Sequence, residues 1–250
     1  MKDCDKKINK QMREKTMNKS FSIRSILFVA MLFFLSPVQA NDIYIQQSGN
    51  NLDLDITQDG QNNVAGTSQT GITLTGNAMT FNIDQVGNSN VVSAIIKGVT
   101  YTGNIDLTGN SNDVALLCSS GSTGNCDTVS LSIDITGSSA DINVSIGEGA
   151  DAENFTGTID VASAADETIT LTANGKSAIA DIDVSNSSGS AGNVATYTQT
   201  GDGDINGHTL THSHTGDGGL TVISQSGVYD NIINLTTSGD NAAINITQSD

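Results

Sequence analysis

Residues 43–71 read IYIQQSGNNLDLDITQDGQNNVAGTSQTG, and this stretch decides the fold. Three Gln-x-Gly units punctuate it: Gln47-Ser48-Gly49, Gln58-Asp59-Gly60 and Gln69-Thr70-Gly71, each 11 residues after the last. Between them apolar and polar residues alternate. Leu52, Leu54 and Ile56 share one parity, and Asp53, Asp55 and Thr57 the other. A period of two with β-branched residues describes a strand with one buried face. Gly with Asn or Asp supplies tight turns at little conformational cost. A strand of about five residues cannot bury its apolar face alone. Stacked coils can, because each covers the one before. The chain is therefore expected to be all-β, a β-solenoid of stacked strand–turn–strand repeats.

The Gln of the motif has the parity of the apolar residues, so it should point inward. A lone buried amide is costly. Stacking removes most of that cost, because each amide can bond those about 4.8 Å above and below. The expected ladder is Gln47, Gln58, Gln69, Gln85, Gln199, Gln225 and Gln248, with turn glycines at Gly49, Gly60, Gly71, Gly87, Gly109, Gly201 and Gly227. In degenerate copies Leu107, Ile135, Ala173, His214 and Thr237 take the Gln position. Where an apolar residue replaces Gln, the ladder should be interrupted and the core simply apolar. The repeats are regular over 43–91 and 197–250 and irregular over 92–196.

The first forty residues differ in kind. They hold 8 of the 10 Lys and Arg. Lys19 and Arg24 precede the apolar run ILFVAMLFFL, and Ser36-Pro37-Val38-Gln39-Ala40 follows. Charged, apolar and small-residue zones in this order define a secretory signal peptide over 1–40, cut between Ala40 and Asn41. The alternative is an uncleaved anchor, for which the run is short. Residues 1–16 form a possible start-site extension before Met17. The repeat domain then spans 41–250.

Beyond Ala40 there are 24 acidic and 2 basic side chains, all 26 Gly, and no Pro or Trp. Such a surface offers no cationic face for nucleic acid, and the same argument excludes anionic membrane. Cys118 and Cys126 are the two cysteines left after export, and an even count outside the cytosol favours a disulfide closing loop 118–126. A metal pair is the weaker alternative.

Gln-x-Gly-x-x-Asn with apolar alternation, in a unit near 22 residues, resembles the curlin repeat of curli amyloid fibres. It is carried by Gln58-Asp59-Gly60-Gln61-Asn62-Asn63-Val64, then Gln69, and by Gln85-Val86-Gly87-Asn88-Ser89-Asn90-Val91. The resemblance covers 43–91 and 197–250 and is weak over 92–196. It implies a secreted subunit or nucleator that polymerises end to end, with a role in adhesion and biofilm matrix. It also implies curli-type secretion and nucleator proteins as partners, and export as an unfolded chain.

Other chemistry is sparse. His208, His212 and His214 are either a metal site, or a Gln-position residue (His214) beside two exposed turn residues. The second reading is preferred. Gly201-Asp202-Gly203-Asp204 and Gly216-Asp217-Gly218-Gly219 resemble fragments of calcium-binding repeats, but outward carboxylates that keep sheets from pairing sideways explain them more simply. No nucleophile–base pair, phosphate loop or inward carboxylate pair is present. The chain is expected to be no enzyme and to need no cofactor or dedicated metal. Its expected function is that of a secreted, self-assembling, curli-like fibre subunit at the cell surface. The alternative is a non-polymerising β-helical adhesin that binds a glycan or host surface.

Overall fold

A computed structural model describes residues 41–250 except 67–70, 88, 110, 119–125, 138, 148–151, 164–166, 187–192, 201–207, 228–230 and 250. The signal segment, Ala40, Gln69, Gly201 and the Asp202–Asp204 fragment lie outside the described residues. Every element among the described residues is a strand. In chain order they are β1 (Asn41–Ile43), β2 (Gln46–Ser48), β3 (Asp53–Asp59), β4 (Asn63–Ala65), β5 (Ile72–Thr75), β6 (Met79–Val86) and β7 (Ser89–Lys97). The middle comprises β8 (Tyr101–Thr108), β9 (Ser111–Cys118), β10 (Val129–Gly137), β11 (Ser139–Ile146), β12 (Ala152–Glu153), β13 (Phe155–Ser163), β14 (Glu167–Lys176) and β15 (Ile179–Asn186). The last are β16 (Asn193–Thr200), β17 (Thr209–Thr215), β18 (Gly219–Ser226), β19 (Ile232–Ser238) and β20 (Ala243–Ser249).

The strands alternate between two parallel sheets, giving a β-solenoid. The first sheet runs β1-β4-β7-β9-β11-β14-β16-β18-β20, with β2, β5 and β12 as short side pieces. The second runs β3-β6-β8-β10-β13-β15-β17-β19. One 11-residue motif is thus half a coil, and a motif stacks on the next but one. The stretch with irregular sequence spacing is stacked in register as well: Ile105 lies on Ile133 and Ile133 on Ile159. Length variation falls between strands, as in the segment closed by Cys118 and Cys126, whose disulfide spans a Cα–Cα distance of 5.9 Å.

Inward residues of the two sheets form one core containing Ile83, Ile105, Ile133, Ile159, Val114, Ile142 and Ile169. Ring volume is balanced by missing side chains. The Phe81 ring fills the space where a Cβ on Gly103 would stand, and the Phe155 ring does the same at Gly157. Inside the strands these two glycines are therefore packing residues. At the corners the glycines serve a different need. A Cβ on Gly87 would strike the backbone carbonyl of Gly60, and one on Gly109 the carbonyl of Gly87. The backbones at this corner lie so close that only hydrogen fits.

Candidate functional site

The solenoid's chemistry lies in its inward polar columns and its two unpaired edges. In the second sheet Gln58 and Gln85 are stacked in register and are 5% and 0% exposed. Gln85 Nε2–H donates to Gln58 Oε1 at 2.5 Å. Above Gln85 the column continues through Leu107 and Ile135, so this amide ladder is two residues long. In the first sheet Gln199, Gln225 and Gln248 are in register. Gln225 Nε2–H donates to Gln199 Oε1 at 3.2 Å, and Ala173 lies next below Gln199. Gln248, on the last strand, is exposed and donates to Asn231 O at 3.2 Å.

Two expectations need correction. Gln47 and Gln58 are not layered on one another, because they belong to opposite sheets. The residue paired with Gln47 is Leu74. Residues 66–71 stand between β4 and β5 in the chain, so the 11-residue spacing does not carry through there. Both of those strands pair with β7. For the same reason Gly76, not Gly71, stacks on Gly49, and Gly71 packs against the Ser93 backbone. Gly227 is a turn residue whose N–H donates to Ser249 O at 3.3 Å.

The asparagine of Gln-x-Gly-x-x-Asn proves to be the second working residue of the motif. Asn63 Nδ2 donates to Gln58 O and to Val86 O, both at 2.9 Å. Gln58 Nε2 donates in turn to Val64 O at 3.1 Å. Asn90 repeats the pattern on Gln85 O and Thr108 O. Each corner is thereby closed on itself and tied to the coil above. The sequence signal was present in the spacing, but Asn in a turn reads first as a backbone preference. On other corners an exposed side-chain oxygen accepts a backbone N–H from the next coil: Asn50 from Asn77, Asn77 from Val99, and Asp217 from Asp240. Asp217 thus has a structural partner in the turn above it.

The histidines also depart from expectation. His208 and His212 are not exposed turn residues; all three are buried. His212 Nδ1–H donates to Ile182 O at 2.9 Å, since a carbonyl can only accept. Nε2 lies 3.3 Å from the Thr221 hydroxyl, from which it accepts in the neutral ring that burial favours. Burial pushes His212 and His214 below the usual imidazole range. His214 takes the Gln position beneath Thr237, against Gly219. It borders a cavity of about 10 Å³ shared with Glu167, Asn193 and Thr221, room for one water. Among the described residues no three His, Cys, Asp or Glu are placed to hold one metal ion.

The outer face carries an acidic column. Asp84, Asp106, Asp134, Asp160 and Asp183 follow one another through five layers of the second sheet. Partial burial, then the carboxylates of Asp134 and Asp84, raise Asp106; Asp160 is raised by burial and by Asp134, Asp183 and Asp181. No family model, curated protein or solved structure matches the chain.

The edges complete the site. Among the described residues β20 pairs with β18 alone, and β3 with β6 alone. Ile244 and Ile246 on β20 are each 47% exposed. At the other end Ile43, Ile45, Leu52 and Leu54 are only partly buried. Both ends therefore present inward-parity apolar side chains beside strands with unpaired backbone groups.

Proposed function

We propose that the chain is a secreted, self-assembling β-solenoid subunit or nucleator of a curli-like fibre, acting at the cell surface in adhesion and biofilm matrix. The observation that carries this reading is the pair of matched edges. Ile43-x-Ile45-x-Gln47 and Leu54-x-Ile56-x-Gln58 at one end and Ile244-x-Ile246-x-Gln248 at the other have the same inward pattern, on strands that, among the described residues, lack a neighbour on one side. An uncovered strand edge templates another chain through its free N–H and C=O groups. The partner with the same rise, twist and side-chain columns is a second copy. The curlin-like motif supports curli-type secretion and nucleator proteins as further partners.

The test is electron microscopy with a thioflavin-type dye on protein purified after export. Dye-positive filaments with the strand spacing of about 4.8 Å along their axis are expected. A monodisperse monomer at high concentration that never binds dye refutes the reading. The adhesin alternative keeps one observation in its favour. A shallow concavity over β7, β9 and β11 is lined by Ser93, Ile95, Ala115, Leu117, Asn143 and Ser145, a mixture of small apolar and polar groups that suits a glycan. Binding to a glycan array by protein that remains monomeric would select it.

A further inference from the structure

We propose that a second copy adds to the β20 end turned by half a revolution about the stacking axis, so that its β3 pairs with β20 and its β1 and β2 pair with β19. This rests on the self-assembly proposed above and supplies its geometry. Among the described residues the first sheet has nine layers along its path and the second has eight. β20 therefore stands one layer above β19. At the other end β1 and β2 belong to the same coil as β3. A copy added without rotation would lay β1 and β2 on β20 and leave one vacant layer, about 4.8 Å thick, between β19 and the incoming β3. Ile233 and Leu235 on one side, and Leu54 and Ile56 on the other, would face an empty slot too thin to fill with ordered solvent at low cost. Half a revolution removes the vacancy.

The rotation is possible because both sheets carry the same 11-residue motif. Alignment on the Gln position sets Leu54, Ile56 and Gln58 of the incoming copy over Ile244, Ile246 and Gln248. It sets Ile43, Ile45 and Gln47 over Ile233, Leu235 and Thr237. Apolar side chains meet apolar ones, and the amide ladder of Gln199, Gln225 and Gln248 continues into Gln58 and Gln85 of the next copy. One more group is served. The Asn231 side-chain amide has both its nitrogen and its oxygen buried without a partner. In this arrangement the β1 backbone at Asn41 is laid over it. Charge allows the fit: outward Asp53, Asp55 and Asp59 fall opposite Ala243, Asn245 and Ser249, so no carboxylate stacks on another across the β3–β20 joint, unlike the five stacked aspartates within the subunit.

Cysteine pairs distinguish the two arrangements. Thr247, Thr57 and Gln46 are all exposed outward positions. With rotation Thr247 neighbours Thr57 of the next copy; without it, Thr247 neighbours Gln46. Adjacent parallel strands bring such Cα atoms within about 5 Å, inside the range a disulfide spans. Thr247→Cys protein is mixed with Thr57→Cys or with Gln46→Cys protein, each purified after export, allowed to assemble, oxidised and run without reductant. The expected result is a cross-linked dimer from the first mixture and none from the second, or from any variant alone. A dimer from the Gln46→Cys mixture, or filaments that cross-link in neither mixture, overturns the rotation and leaves assembly standing. Absence of filaments from the unsubstituted protein overturns both.

Discussion

Replacing Gln85 by Glu changes one buried group and keeps its shape. The Gln85 amide N–H donates to Gln58 Oε1 at 2.5 Å and reaches Val91 O at 3.4 Å. A carboxylate there would face two acceptors, with Leu107 above it and no solvent, since Gln85 is 0% exposed. The new group avoids this by holding its proton, whose O–H can donate to Gln58 Oε1. Keeping a carboxyl with an ordinary pKa near 4.3 protonated at pH 7 costs about 1.4 kcal/mol per pH unit, or about 4 kcal/mol. Here the folded pKa is raised, so the deficit is full at neutral pH and closes as pH falls toward 4.3. Amide hydrogen exchange along β3 and β6 measures it locally, which suits a stack that opens coil by coil. Protection of Ile83 and its neighbours should fall about a thousandfold relative to the parent at pH 7, or to the limit set by opening of the adjacent coils, and recover near pH 4. Gln46→Glu, exposed on β2, should change little at either pH. Protection at pH 7 within about threefold of the parent would mean that Gln85 is not held against Gln58 in a dry column, and the ladder argument would fail with it.

Other perturbations read other parts of the stack. Gly87→Ala sets a methyl group against the Gly60 carbonyl and should lower the denaturation midpoint of the first coils by an amount equivalent to about 2–4 kcal/mol, whereas Gly49→Ala, whose added carbon meets only the Gln47 side chain, should cost less. Asn63→Ala removes donors to Gln58 O and Val86 O and should cost about 2–3 kcal/mol in the same assay. Reduction of Cys118–Cys126 frees a short loop and should lower stability by about 2–3 kcal/mol, with exchange rising first in β9 and β10. Burial lowers His212 and His214, so the unfolded chain binds more protons between their folded values and about 6.5; protection of β17 and β18 should fall with pH through that window, and His212→Gln with His214→Gln should flatten the loss. Asp106 and Asp160 act in the opposite sense, because the folded state takes up their protons first; stability should rise as pH falls from their raised values toward 3.8 in an Asp106→Asn, Asp160→Asn comparison.

The fold was legible because its signal is redundant. Alternation in 52–57, repeated at Ile142, Val144 and Ile146 and again at Ile182 and Val184, specifies half-buried strands wherever it occurs. Stacking follows from the inability of any one of them to bury its face. Register was less legible. Equal spacing of Gln47, Gln58 and Gln69 gives no sign that 66–71 separates two short strands and hands the third position to Leu74. A strand pattern alone does not say which residue of matching parity takes the ladder position. The histidines were misread for a related reason. His208 and His212 fall at positions of inward parity, but a titratable ring reads as exposed unless its partners are known, and those of His212, Ile182 O and the Thr221 hydroxyl, lie 30 and 9 residues away. The packing role of Gly103 and Gly157 was invisible because it depends on the rings of Phe81 and Phe155.

The polar columns answer a problem that the apolar columns create. Aliphatic side chains stacked two residues apart tolerate a slip of two residues with little loss, since Ile on Val packs nearly as well as Ile on Ile. A slip at Gln85 would instead part its amide from Gln58 Oε1, draw Asn90 away from Gln85 O, and drive a side chain into the corner where Gly87 meets Gly60. Three penalties then fall together at one corner, each of order 1–3 kcal/mol. The complete Gln-x-Gly-x-x-Asn corners occur early in the chain, and a Gln pair returns at Gln199 and Gln225, so register is pinned near both ends and the apolar middle is held between. The same logic reaches across a junction between copies. An incoming strand that meets Gln248 with an aliphatic residue gains contact but no alignment, whereas Gln58 there bonds in only one register. Self-assembly through these edges is therefore expected to be as specific in register as the interior is, and a Gln248→Leu variant should still associate but give filaments of lower order by fibre diffraction. Unchanged order would place the alignment elsewhere, in the corner asparagines.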